Sequence, residues 1–194
     1  MTDAPWTDRL TGTLEPLLLQ EDPRPDISAY ADMPYAIFRY PPDAEFPVRQ
    51  ELARLRTRLE NGGKRVTALS LAECLDAALK TVGYSWADLA GAEQGVGLEK
   101  AAETVHQILS DHVPLDGLVA ARIPDDAAPT RDVVFVTRAG ALFPFYRTSS
   151  LLDQLMGKVL VPAVLFYPGE VEPPAGLRFM GRLDAEHNYR PKIF

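Results

Sequence analysis

The chain has 194 residues, 46% of them hydrophobic, with 27 acidic against 20 basic side chains and a formal net charge of −7. That length fits one compact domain or one domain with a decorated terminus, and the composition supplies a core. The acidity argues against a broad positive field for nucleic acid, and the single cysteine, Cys74, excludes an intrachain disulfide or a thiolate metal cluster. No apolar run approaches the ~20 residues of a membrane-spanning helix. The start, MTDAPWTDRL, lacks the basic and apolar blocks of a secretory signal, so a soluble, cytoplasmic protein is expected.

In residues 7–20, Leu10, Leu14, Leu17 and Leu18 recur at helical spacing, against which Gly12 and Pro16 act as breakers. Residues 21–34 (EDPRPDISAYADMP) read as a proline-rich, acidic arm. The expected organisation is therefore an N-terminal helix and arm over residues 1–34 and a single α/β domain over residues 35–194. Residues 35–40 (YAIFRY) form a first strand stopped by Pro41-Pro42. Residues 46–60 form an amphipathic helix with Val48, Leu52, Leu55 and Leu59 on one stripe, ended by Asn61-Gly62-Gly63. Residues 65–69 give a second strand. Ser70 with Glu73 three residues on then opens a helix carrying Leu71, Leu75, Leu79 and Val82.

Further on, residues 84–90 predict one helical turn, residues 91–97 a glycine-rich loop, and residues 98–109 a helix. Residues 117–123 (GLVAARI) read as a third strand, joined by the polar turn PDDAAPT to a fourth over residues 132–137. That link is too short for a crossover helix, so a hairpin is expected there. Ser149 caps a helix over residues 150–156, residues 161–167 give a fifth strand and residues 177–180 a sixth. Short, continuous apolar strands with helices between them point to an α/β fold. The expected sheet is mixed, mostly parallel, with about five to six strands flanked by helices in a Rossmann-like, three-layer arrangement.

No constellation for catalysis stands out. Asn61-Gly62-Gly63-Lys64 ends a helix and is followed by Arg65, not the Ser or Thr of a phosphate loop. Gly95-Val96-Gly97 lacks the third glycine of a dinucleotide loop. His106, His112 and His187 form no metal-binding spacing, and Asp125-Asp126 sit in a turn that solvates them. No catalytic residue, metal or cofactor is assigned. Two features are candidates for binding. One is the arginine-rich helix with Arg49, Arg54, Arg56 and Arg58, a concentration of positive charge in an acidic chain. The other is the strand-end polar group of Tyr146, Arg147 and Ser149 at a helix start, with Glu170 of the Pro168-Gly169-Glu170 turn nearby. Tyr146, Tyr167, Tyr189, Arg190 and Phe194 read as exposed interface anchors.

The segments YAIFRYPPDAEFPVRQELARLRTRL, FPFYRTSSLLDQL, VPAVLFYPGE and the closing LRFMGRLDAEHNYRPKIF resemble the BrxB family of BREX phage-resistance systems, over nearly the whole chain. The resemblance implies a small, non-catalytic component that works beside a PglZ-like protein, a methyltransferase and a large ATPase. The implied role is assembly within a bacteriophage-defence complex, with any DNA contact indirect. The residues themselves also leave open a nucleotide- or nucleic-acid-binding domain that uses the Arg49–Arg58 helix or the Arg147/Ser149 helix start.

Overall fold

The computed structural model describes residues 5–28, 33–172, 176–182 and 191–194. Two short helices open it, α1 (Trp6–Arg9) and α2 (Glu15–Leu18), joined by a π-helical turn, Leu10–Leu14. Pro16 has no N–H for the carbonyl four residues back, and the winding widens just before it. After α3 (Arg24–Ile27) come β1 (Tyr35–Tyr40), α4 (Glu45–Asn61), β2 (Arg65–Ser70) and α5 (Leu71–Thr81). A helical hairpin follows, α6 (Trp86–Val96) and α7 (Leu98–Gln107), then a π turn (Ile108–His112) and α8 (Leu115–Ala120). The remaining elements are β3 (Asp132–Thr137), a 3-10 turn (Ala139–Leu142), α9 (Thr148–Gln154), β4 (Ala163–Glu172), β5 (Gly176–Phe179) and β6 (Lys192–Ile193).

Among the described residues the strands form one six-stranded sheet in the order β2-β3-β4-β1-β6, with β5 added to β4. Every pairing along that path is parallel, and β5 runs antiparallel to the outer half of β4, from Gly169 to Glu172. The fold is α/β with a mixed, mostly parallel sheet, as the continuous apolar strands predict. Alternate residues of the strands feed two cores. On one face Ala36, Phe38, Val133, Phe135, Val164 and Phe166 meet α1, α2 and α4. On the other Ile37, Val134, Val136 and Leu165 meet α5, α7, α8 and α9.

Three expectations are corrected. The apolar run expected as a strand over residues 117–123 belongs mostly to helix α8, so there is no hairpin to β3, which instead pairs parallel with β2 and β4. A short apolar run does not separate strand from helix by periodicity alone. Here Leu115 and Val119, four apart, are both buried, and Pro114 stands at the helix start. The stretch expected as a glycine-rich loop is the second half of α6, which begins at a capping box. Ser85 Oγ accepts from Asp88 N–H while Asp88 accepts from Ser85 N–H at 2.7 Å. Only Gly97, at φ +88°, leaves the helix. Ser149 does not cap α9, because the helix starts two residues earlier than expected, at Thr148, and Arg147 occupies the cap position without a side-chain capping bond.

Two polar clusters pin the base of the sheet. Lys64 is buried, and its ammonium donates to the carbonyls of Gln20, Glu21 and Thr130, tying the N-terminal helices to the loop before β3. Asp132, also buried, accepts from Arg65, from Arg131 at 3.0 Å and from the Ala128 N–H at 2.9 Å. Burial alone would push this carboxyl upward, but Arg65, the Ala128 N–H and Arg131 together hold it below the usual aspartate range. The stability it contributes is therefore complete above the unfolded-state value of ~3.9 and is lost as pH falls through the lower folded value. Asp132→Asn should cost about 2–3 kcal/mol at neutral pH by denaturant unfolding. It should also flatten the acid limb of the stability–pH curve, and equal acid limbs for the two proteins would refute this account.

Candidate functional site

A crevice opens at the carboxyl ends of a parallel sheet where the polypeptide leaves some strands toward one face and others toward the opposite face. After β1 the chain passes to α4 on one face, and after β3 it passes through Ala139–Leu142 to α9 on the other. Two adjoining depressions, each of about 320 Å³, fill the space between these elements. The first lies between α4 and the ends of β2 and β3, over Ala68 and Phe135, with Ser70, Glu73 and Thr137 on its polar side. The second lies between the start of α4 and the end of β4, bordered by Glu45, Phe46, Pro168 and Met180.

Arg49 and Arg138 line both depressions, and Arg56 lines the first. Arg49 projects from the second turn of α4, and its guanidinium lies 5.8 Å from the ring centroid of Phe46. Arg138 follows β3 directly and holds a left-handed backbone, φ 61° and ψ 35°, unusual for a residue other than glycine, asparagine or aspartate. Arg56 is bound to Glu60 at 2.7 Å. Among the described residues neither Arg49 nor Arg138 forms an ion pair, though the carboxylates of Glu45 and Glu73 also line the crevice. Deeper in, Tyr40 donates to Glu45 at 2.5 Å, and burial together with that carboxylate raises the phenol well above its ordinary value. Thr137 closes the β2–β3 end by donating to the Leu69 carbonyl at 2.9 Å.

The arginine-rich helix is not a continuous basic face. Arg54 pairs with Glu51 at 3.1 Å, and Arg58 bridges Glu15 of α2 and Glu51 at 2.8 and 3.0 Å. Only Arg49 and Arg56 of that set reach the crevice. This neutralisation does not favour a phosphate backbone laid along the helix. Arg65, which continues the basic run, is engaged by Asp126 at 2.9 Å and by Asp132.

The Tyr146 group lies elsewhere. Tyr146 is 3% exposed rather than presented to solvent, donates to Gln154 at 2.8 Å, and lies 5.4 Å from the His106 ring. Arg147 is exposed and Ser149 half-buried at the start of the seven-residue α9. Tyr167 is fully buried against Phe179, and Phe194 is buried too, so these expected interface aromatics are core residues. An aromatic run at the end of a chain does not reveal on its own that the sheet is built around it. Tyr189 and Arg190, like His187, lie outside the described residues. Among the described residues no cluster of three His, Cys, Asp or Glu side chains is placed to hold a metal ion, and no helix is long and apolar enough to cross a membrane. Arg138 was missed. The sequence signal for it is the polar pair Thr137-Arg138 directly after the apolar run that ends at Val136.

Glu170 is exposed on β4 opposite Arg178 of β5, which it meets across the strands while Arg178 pairs with Glu172. The close approach of β5 to β4 depends on Gly169, where an added Cβ would fall 2.3 Å from the Tyr167 ring and 2.5 Å from the Arg178 carbonyl. Gly169→Ala should therefore destabilise the protein by about 1–3 kcal/mol through overpacking. An unchanged midpoint in chemical denaturation would show that the β4–β5 approach is looser than this.

Comparison with known proteins adds an independent line. The family model of the BREX protein BrxB matches residues 68–193. A BREX protein BrxB from Bacillus cereus (strain H3081.97) is 29% identical over 160 residues, covering 80% of this chain and 80% of that protein. No solved structure matches. The matched region runs from within β2 through β6 and includes Ser70, Glu73, Thr137 and Arg138 of the crevice. It takes in most of the sheet and the helices of one face, and the chain belongs to the BrxB family of BREX proteins.

Proposed function

We propose that this BREX component acts by assembly and carries no reaction centre of its own. It docks a PglZ-like protein, and through it joins the methyltransferase and ATPase of a cytoplasmic bacteriophage-defence complex, with DNA contacted only through that complex. The observation that carries this reading is the helical hairpin α6–α7. Its hold on the core comes from Leu89, Ala101 and Val105, while Trp86, Val96 and Leu98 stay 49%, 61% and 54% exposed and Tyr84, just before α6, is exposed too. Several exposed apolar side chains on one helical hairpin mark a partner surface more often than an isolated exposed leucine does. Carboxylates surround them, from Asp88, Glu93 and Glu99, and the cations Lys80 and Lys100 are spent on Asp76 and Glu103. The complementary partner surface is apolar with a basic rim.

Co-expression of the tagged chain with its PglZ-like, methyltransferase and ATPase neighbours tests this directly. The PglZ-like protein should be retained through purification, and the double variant Trp86→Asp, Val96→Asp should retain roughly tenfold less or lower, a loss typical of removing central apolar anchors. A chain that purifies alone, or a double variant that holds its partner as well as the native protein, would sink the proposal.

A further inference from the structure

The crevice at the carboxyl ends of the strands has no part in docking through α6–α7, yet it has the features of a ligand site. Arg49 and Arg138 come from opposite sides of it, one from the helix after β1 and the other from the end of β3, and both line each of its two halves. In a chain of net charge −7, two cations without carboxylate partners among the described residues converge on one concave surface. Arg138 is placed there by a left-handed backbone that glycine would adopt with less strain. The floor of the first half is apolar, from Ala68 and Phe135, while Ser70 and Thr137 supply hydroxyls. At the mouth of the second half stands Phe46, 72% exposed, the most exposed large apolar side chain among the described residues.

We infer that this crevice binds a nucleoside phosphate, with the phosphates between Arg49 and Arg138 and the base against Phe46. Planar guanidinium groups present paired donors that match phosphate oxygens. An aromatic ring left in solvent beside them supplies a stacking surface suited to a nucleobase. The two halves, each about 320 Å³, together match the size of a ligand with one charged and one aromatic end. Glu73 and Glu45 border the site, and Glu45 is already engaged by Tyr40. The ligand is thus read by shape and two arginines rather than by a uniformly positive wall. Binding here is independent of the partner surface, so failure of one reading leaves the other standing.

Isothermal titration calorimetry at low salt with ATP, pyrophosphate and adenosine tests the assignment on the full chain. ATP should bind, pyrophosphate more weakly, and adenosine not measurably. Arg49→Gln and Arg138→Gln should each weaken ATP about tenfold or more, and Arg138→Gly, which suits the left-handed backbone, should behave like Arg138→Gln. Phe46→Ala should weaken ATP and leave pyrophosphate unchanged. Lys80→Gln removes a positive charge on α5 away from the crevice and should have no effect. Three results would overturn the inference: no heat with ATP or pyrophosphate, full ATP affinity in the Arg49→Gln, Arg138→Gln double variant, or Lys80→Gln weakening ATP as much as the arginine variants do.

Discussion

A strand that is hydrogen-bonded on both edges and buried on both faces can meet other molecules only at its ends. That constraint governs β4, whose residues from Ala163 to Tyr167 are all buried, with β3 on one side and β1 on the other. Phe166 packs on Phe38 at 5.8 Å and on Phe135 at 5.1 Å on one face, while Leu165 and Tyr167 join the other core. Such burial supplies roughly 1.5–3 kcal/mol per large side chain, and it leaves the centre of the molecule closed to chemistry. What remains open is the rim where strands give way to helices. There Arg49, Arg138 and Phe46 stand around concave space, and Gly169 lets β5 approach β4 beside Tyr167.

Electrostatics divides the arginines into two kinds. Arg54 and Arg56 are consumed by Glu51 and Glu60 within α4, Arg58 ties α4 to α2 through Glu15, and Arg65 ties β2 to the loop before β3. Exposed pairs of this sort are worth only about 0–1 kcal/mol each, so they act more to cancel charge than to stabilise. Arg49 and Arg138 are left over from that cancellation. A basic stretch in one dimension therefore becomes, in three, a helix whose other arginines are paired and whose Arg49 meets Arg138 from the end of β3.

The parts of the fold legible in the linear chain are those with local causes. The stripe Val48-Leu52-Leu55-Leu59, the stop at Gly62-Gly63 and the Ser70 cap each act within a few residues, and α4, β2 and α5 end within a residue or so of where those signals put them. The errors came where a distant contact decides. Nothing within GLVAARI says that Leu115 and Val119 face α5, which fixes it as helix. Likewise the exposure of Tyr146 and Tyr167 depends on His106, Gln154 and Phe179, which lie far along the chain or on another element. The crevice shows the same limit. Arg49 and Arg56 are visible as charges, but their meeting with Arg138, some 90 residues on, follows only from the order β2-β3-β4-β1.

That strand order also bears on how the molecule is born. Tyr35 is bonded beside Ala163, about 130 positions later, so β1 leaves the ribosome long before its neighbour exists. At a synthesis rate of roughly 5–20 residues per second, the segment YAIFRY waits on the order of 6 to 26 s with its apolar side chains unburied. Over that interval the nascent chain presents a sticky ribbon near its beginning. Its yield in a cell then depends on whatever shelters that ribbon until the last third of the polypeptide arrives.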